Sequence, residues 1–196
     1  MENPELHAEL LAMKLEDEAL HTKLSEADAL RGHYVPRLQA VHEKNAARLR
    51  EILSEHGWPN EIKVGSDGAY AAWLIVQHGI GDPTLQRAVL PMLEQEAASG
   101  CIPAWQPAYL ADRIAMYEGR PQRYGTQWLD DTKDGRARPW PILEPDRVNS
   151  LRASVGLGPL AMIPERGPDL SQDEHKARQE DRTWWQDWLT NRGWQP

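Results

Sequence analysis

The chain reads as mainly α, a single helical domain with an irregular segment holding a short β-hairpin, then a Trp-rich C-terminal helix. Three observations predict this. Apolar residues recur at three- and four-residue intervals through most of the chain up to about residue 118, the spacing that lines one face of a helix. Gly and Pro fall between those runs, where helices stop and start. From 119 to 144 the period disappears and Gly125, Asp134-Gly135 and three prolines take its place.

The first helix spans 4 to about 31, with Leu6, Leu10, Met13, Leu20 and Leu24 on one face, acids on the other and Gly32 as the stop. The second runs from Pro36 to His56 on the stripe Leu38, Val41, Leu49, Ile52 and Leu53, and Gly57-Trp58-Pro59 ends it. Ile62-Lys63-Val64 is read as an extended link. Ser66-Asp67 then caps a third helix to Gln77, built around Ala69, Ala72, Trp73 and Val76. Asp82-Pro83 starts a fourth, to about Ser99, because Pro is preorganised for the first helical position. A fifth covers 103 to 118. Gln127-Trp128-Leu129 and Arg138-Pro139-Trp140 can pair across the Asp134-Gly135 turn, and Pro145 to Val155 forms a short helix. The expected division is a helical domain over 1–164 and a charged tail over 165–196 that ends in the helix from Thr183 to Trp194.

Composition excludes several classes. The 196 residues are 40% apolar and 27% charged, enough for a core without disulfides or metal. A net charge of −8 argues against nucleic-acid or anionic-membrane binding. No apolar run reaches the roughly 20 residues of a membrane span. The acidic, amphipathic start is unlike a signal peptide, and the single cysteine, Cys101, fits a reducing cytoplasm. Trp184, Trp185 and Trp188 share a face with Leu189. Three indoles in water would form a large apolar patch, so this tail is expected to dock on its own chain or on a partner subunit, including a second copy.

The residues open to chemistry are few. No Gly-rich phosphate loop, zinc-spaced Cys pair or H-E-x-x-H is present, and Gly79 and Gly81 interrupt the alignment of His78 with Asp82. The expectation is therefore no metal and no cofactor. His78 follows the apolar run 71–76; it can be a general acid/base, or a helix-end His answering the dipole. Asp112-Arg113 is either an ion pair or part of a site, and Arg113, Arg120 and Arg123 can form a local anion site or a solvated surface. Gln122, Tyr124 and Thr126 alternate with Arg123 and Gln127, with Gly125 permitting close approach. Asn45 falls on the apolar stripe of the second helix, flanked by His42, so it must be hydrogen-bonded to backbone or to something in a pocket.

Laid in order, Gly57-Trp58-Pro59, the run Ala72 to His78, Ala108 to Arg113 and Gly119 to Gln127 resemble a bacterial family known as domain of unknown function 6624. Pro139-Trp140-Pro141-Ile142, Pro145 to Val148 and Leu157 to Ala161 extend the likeness, which covers about residues 36–163. In that family the Gln-His pair is usually followed by Ala and Asp, whereas here His78 precedes Gly79-Ile80-Gly81-Asp82. The resemblance implies one constellation of Gln77, His78, Asp112, Arg113, Gln122, Tyr124 and Gln127. The expected function is a metal-free enzyme that acts by acid/base chemistry on a small anionic metabolite: elimination, cyclisation or hydrolysis. His78, Tyr124 and Asp112 are the expected catalytic groups. Gln77, Arg113, Gln122, Arg123, Gln127, Asn45 and Trp58 are expected to bind substrate. The alternative is a non-catalytic helical module that binds a ligand or protein.

Overall fold

The computed structural model describes residues 1–30, 32–129, 137–160 and 171–195. The chain divides into two compact units, Met1–Ile102 and Pro103–Pro196, each described by itself below. The proposed Asp134-Gly135 turn and the start of the tail, Pro164 to Pro168, lie outside the described residues.

The first unit is a four-helix assembly: α1 (Pro4–Glu26), α2 (Pro36–His56), α3 (Glu61–His78) and α4 (Pro83–Ala98). The α3 helix touches each of the other three, which is why it carries the longest buried run, Ala71-Ala72-Trp73 and Ile75-Val76-Gln77. α1 starts where Asn3 accepts the Leu6 N–H at 3.0 Å, with Pro4 in the first turn. It ends five residues before the expected limit. Between Leu24 and Leu30 the only apolar side chains are those of Ala27 and Ala29, too small to anchor another turn, and Asp28 turns the chain with φ 51°.

α2 has the expected bounds, but its buried seam is Leu38, His42, Asn45, Leu49 and Ile52, with Val41 and Leu53 only half-buried. Four- and three-residue steps along that seam are the signature of helices packed close to parallel. The supposed link at 62–64 is helical. Asn60 caps it by accepting from the Lys63 N–H, and a kink at Gly65 (φ 72°) joins it to the rest of α3. Asp82 caps α4 through the Leu85 N–H at 3.0 Å, as its position before Pro83 predicts.

The second unit comprises α5 (Trp105–Tyr117), a two-residue antiparallel pair of β1 (Trp128–Leu129) and β2 (Arg138–Pro139), α6 (Val148–Ser154) and α7 (Gln172–Asn191). α7 begins eleven residues before the expected Trp-rich helix because Ser171 and Glu174 close a capping box. Its indoles pack on one another: Trp185 meets Trp184 and Trp188 edge-to-face, with centroids 5.2 and 5.5 Å apart, and Trp184 stacks on Trp188 at 6.3 Å. The end of the tail docks on α5: Trp194, 3% exposed, meets the Tyr117 ring at 5.2 Å, and Gln195 Nε2 donates to the Tyr117 carbonyl at 2.9 Å. Among the described residues no helix is long and apolar enough to cross a membrane.

Candidate functional site

The nominated residues fall into two groups, one in each unit. In the first unit, His78 ends α3 and its Nδ1 lies 2.6 Å from Asp17 Oδ2. The other carboxylate oxygen, Oδ1, is 2.9 Å from His42 Nε2, and His42 Nδ1 is hydrogen-bonded to the Tyr34 hydroxyl. A carboxylate only accepts, so both imidazoles donate to Asp17. With His42 neutral, its Nδ1 accepts from the Tyr34 O–H. The imidazoles of His42 and His78 are tilted by 40° with centroids 4.9 Å apart.

Asp17 is 1% exposed. Burial pushes its carboxyl up, but hydrogen bonds and charge from His42 and His78 outweigh that and hold it well below the usual carboxylate range. His78 is the open end of the chain: its side chain is 26% exposed, and Nε2 has no hydrogen-bond partner among the described residues. Asp17 therefore fixes one imidazole tautomer and leaves the other nitrogen, a base, facing outward.

The other nominated groups of this unit take supporting places. One turn beyond His42, Asn45 donates from Nδ2 to the Met13 carbonyl at 3.3 Å, while its buried Oδ1 has no partner among the described residues. Gln77 is buried on α3, and its backbone carbonyl accepts from Gln86 Nε2 at 3.4 Å. Trp58 is buried at the corner between α2 and α3, with its indole N–H unanswered among the described residues. Asp82 is a helix cap held by Arg50, with Nε 2.5 Å from Oδ2.

In the second unit the nominated residues build a loop. Asp112, also 1% exposed, accepts from the backbone N–H groups of Arg123, Tyr124 and Thr126 and from the Thr126 hydroxyl, at 2.8 to 3.1 Å. Gln122 is fully buried; its Nε2 donates to the carbonyls of Gln127 and Trp140, and its Oε1 accepts from the Gln127 N–H. Gln127 donates from Nε2 to Thr126 Oγ1. Both oxygens of Asp112 are thereby occupied in fixing the loop. Tyr124 and Arg113 are half-buried, and Arg123 is exposed with its guanidinium 5.7 Å from the Tyr124 ring centre. Arg120 is held by Glu118, its Nε 2.9 Å from Oε2, so one of the three expected anion-binding guanidiniums is already paired.

Asp17 and Tyr34 were missed by sequence reasoning, and His42 was noticed only as a neighbour of Asn45. A signal existed. Leu6, Leu10, Met13, Asp17, Leu20 and Leu24 form one unbroken series of four- and three-residue steps, so Asp17 is an acid on the apolar stripe. Spacing along the chain had argued against ligand convergence, yet Asp17, His42 and His78 meet across three helices.

No curated protein and no solved structure matches the chain. A family model does match, over residues 4–165, and so takes in α1 and Asp17 as well as the segments from Pro36 onward. The chain belongs to the family of unknown function DUF6624.

Proposed function

We propose that this protein is an enzyme that moves a proton on a small molecule, with His78 as the acid/base group. The observation that carries the reading is the Asp17–His78 contact at 2.6 Å with Nε2 of the same ring open and unpartnered among the described residues. Nε2 takes a proton from the substrate, Asp17 stabilises the imidazolium that results, and the proton returns to the product or leaving group from the same nitrogen. His42, backed by Tyr34, keeps Asp17 ionised and correctly turned. Elimination, cyclisation and hydrolysis all require such a step. A cytoplasmic setting is proposed on the lone cysteine. A second reading, a non-catalytic binding module, is favoured by the architectural use of Asp112 and Gln122.

The test is turnover of a panel of small carboxylated and phosphorylated metabolites, followed by mass spectrometry. Product formation should fall about 10²- to 10⁴-fold in His78→Gln with an unchanged circular dichroism spectrum. Undiminished turnover in that variant would remove His78 from the chemistry.

A further inference from the structure

We propose that Asp17, His42 and His78 form a binding site for one divalent ion of the zinc class, through an Asp17 carboxylate oxygen, His42 Nε2 and His78 Nδ1. One donor atom from each residue lies within 4.8 Å of the other two, and each imidazole already meets one oxygen of the same carboxylate, His42 Nε2 at 2.9 Å from Oδ1 and His78 Nδ1 at 2.6 Å from Oδ2. An ion with bonds of about 2.0–2.2 Å holds its ligand atoms roughly 3.0–3.5 Å apart, so each imidazole nitrogen already stands close to ligand spacing from one oxygen of the shared carboxylate. Two imidazoles and one carboxylate suit zinc, cobalt or ferrous iron, whereas calcium and magnesium take oxygen sets.

The surroundings agree. Tyr34 sits on His42 Nδ1, where metal-bound imidazoles usually have a partner that fixes the ring. Three protein donors leave a fourth position for water, and the part-exposed His78 marks a route from solvent. Asn45 Oδ1, one turn along α2 from His42, is a buried acceptor with no partner among the described residues, suited to a bound water. Protons balance without an added reagent. On neutral rings, the His42 proton moves from Nε2 to Nδ1, where the Tyr34 oxygen accepts it, and the His78 proton moves from Nδ1 to Nε2. A metal therefore consumes the base: Nε2 becomes an N–H, and the ion silences proton transfer at His78.

This inference stands on the donor geometry and not on the acid/base reading. The full-length chain, stripped with a chelator, is titrated with Zn²⁺ against a chromogenic chelator and with Co²⁺ by visible absorption. One ion per chain is expected, with affinity at least 100-fold weaker in His42→Gln and in His78→Gln, and about tenfold weaker in Tyr34→Phe. His78→Gln changes a part-exposed side chain and is expected to fold; thermal melts check each variant. His7→Ala, at the separate surface pair with Asp67, should leave binding unchanged. No stoichiometric Zn²⁺ binding in the wild type, or binding indifferent to both glutamine variants, overturns the site. If Zn²⁺ fails to bind while turnover depends on His78, only the metal inference is lost. If Zn²⁺ binds as expected and turnover ignores His78, only the acid/base reading is lost.

Discussion

Asp17 and Asp112 are equally buried, and both carboxylate oxygens of each are hydrogen-bonded, yet their partners differ in kind. Asp112 is surrounded by main-chain N–H groups and one hydroxyl, none of which changes protonation near neutrality. Asp17 is held by two imidazoles, which do. A buried carboxylate met by backbone fixes a loop; one met by histidines can trade protons or an ion. Residue type alone does not separate the two cases, because both acids sit in helices among apolar neighbours.

The comparison can be broken most sharply at Asp112. Asp112→Ala would leave three loop N–H groups without their acceptor, and the expected loss is about 4 kcal/mol in urea unfolding. A cost below about 1 kcal/mol would show that the loop does not depend on this acid. The next effect lies on the same loop. Gly125 has φ 66°, and an added Cβ would stand 2.8 Å from Leu160 Cδ1. Gly125→Ala should cost about 2 kcal/mol through left-handed strain and crowding, which the same unfolding curve reads.

The smallest effect belongs to Asp17 and is the one that varies with pH. Its carboxyl is held below the usual range in the folded chain. A lowered folded value means stability that is present above the unfolded carboxyl value, about pH 4, and lost as the pH falls toward the folded value. Asp17→Asn should therefore destabilise by about 1–2 kcal/mol at pH 7, and the gap from wild type should shrink in more acidic buffer. A gap that stays constant from pH 7 to pH 3 would mean the histidines do not hold Asp17 ionised.

Much of the helical plan was legible. α2, the Asp82 cap of α4 and the hairpin pair all follow from Pro, Gly and cap positions, which act locally. The site was legible only in part, because its parts are local and its assembly is not. Asp17 stands out once the stripe of α1 is counted in four- and three-residue steps, but acids beside it at Glu16 and Glu18 make it look like one more solvated charge. His42 is displaced from view by Val41, which is more apolar and yet only half-buried. Gln122 was read as a site residue because polar side chains in a glycine-bearing loop suit recognition, and Asp112 because it adjoins Arg113 on the fifth helix and belongs to the constellation that the resemblance implies. Most of their hydrogen bonds go to the backbone of residues 123–127, with Gln122 also donating to the Trp140 carbonyl and Asp112 also accepting from the Thr126 hydroxyl, a use that sequence pattern does not distinguish.

Each member of the histidine–aspartate cluster comes from a different helix: Asp17 from α1, His42 from α2 and His78 from α3. No two neighbours in the chain can report on it, so the cluster exists only while all three helices are assembled, and any transient peeling of α1 dismantles it. A ligand that engages the cluster must then suppress that peeling, and amide hydrogen exchange along α1 should slow on binding even far from Asp17.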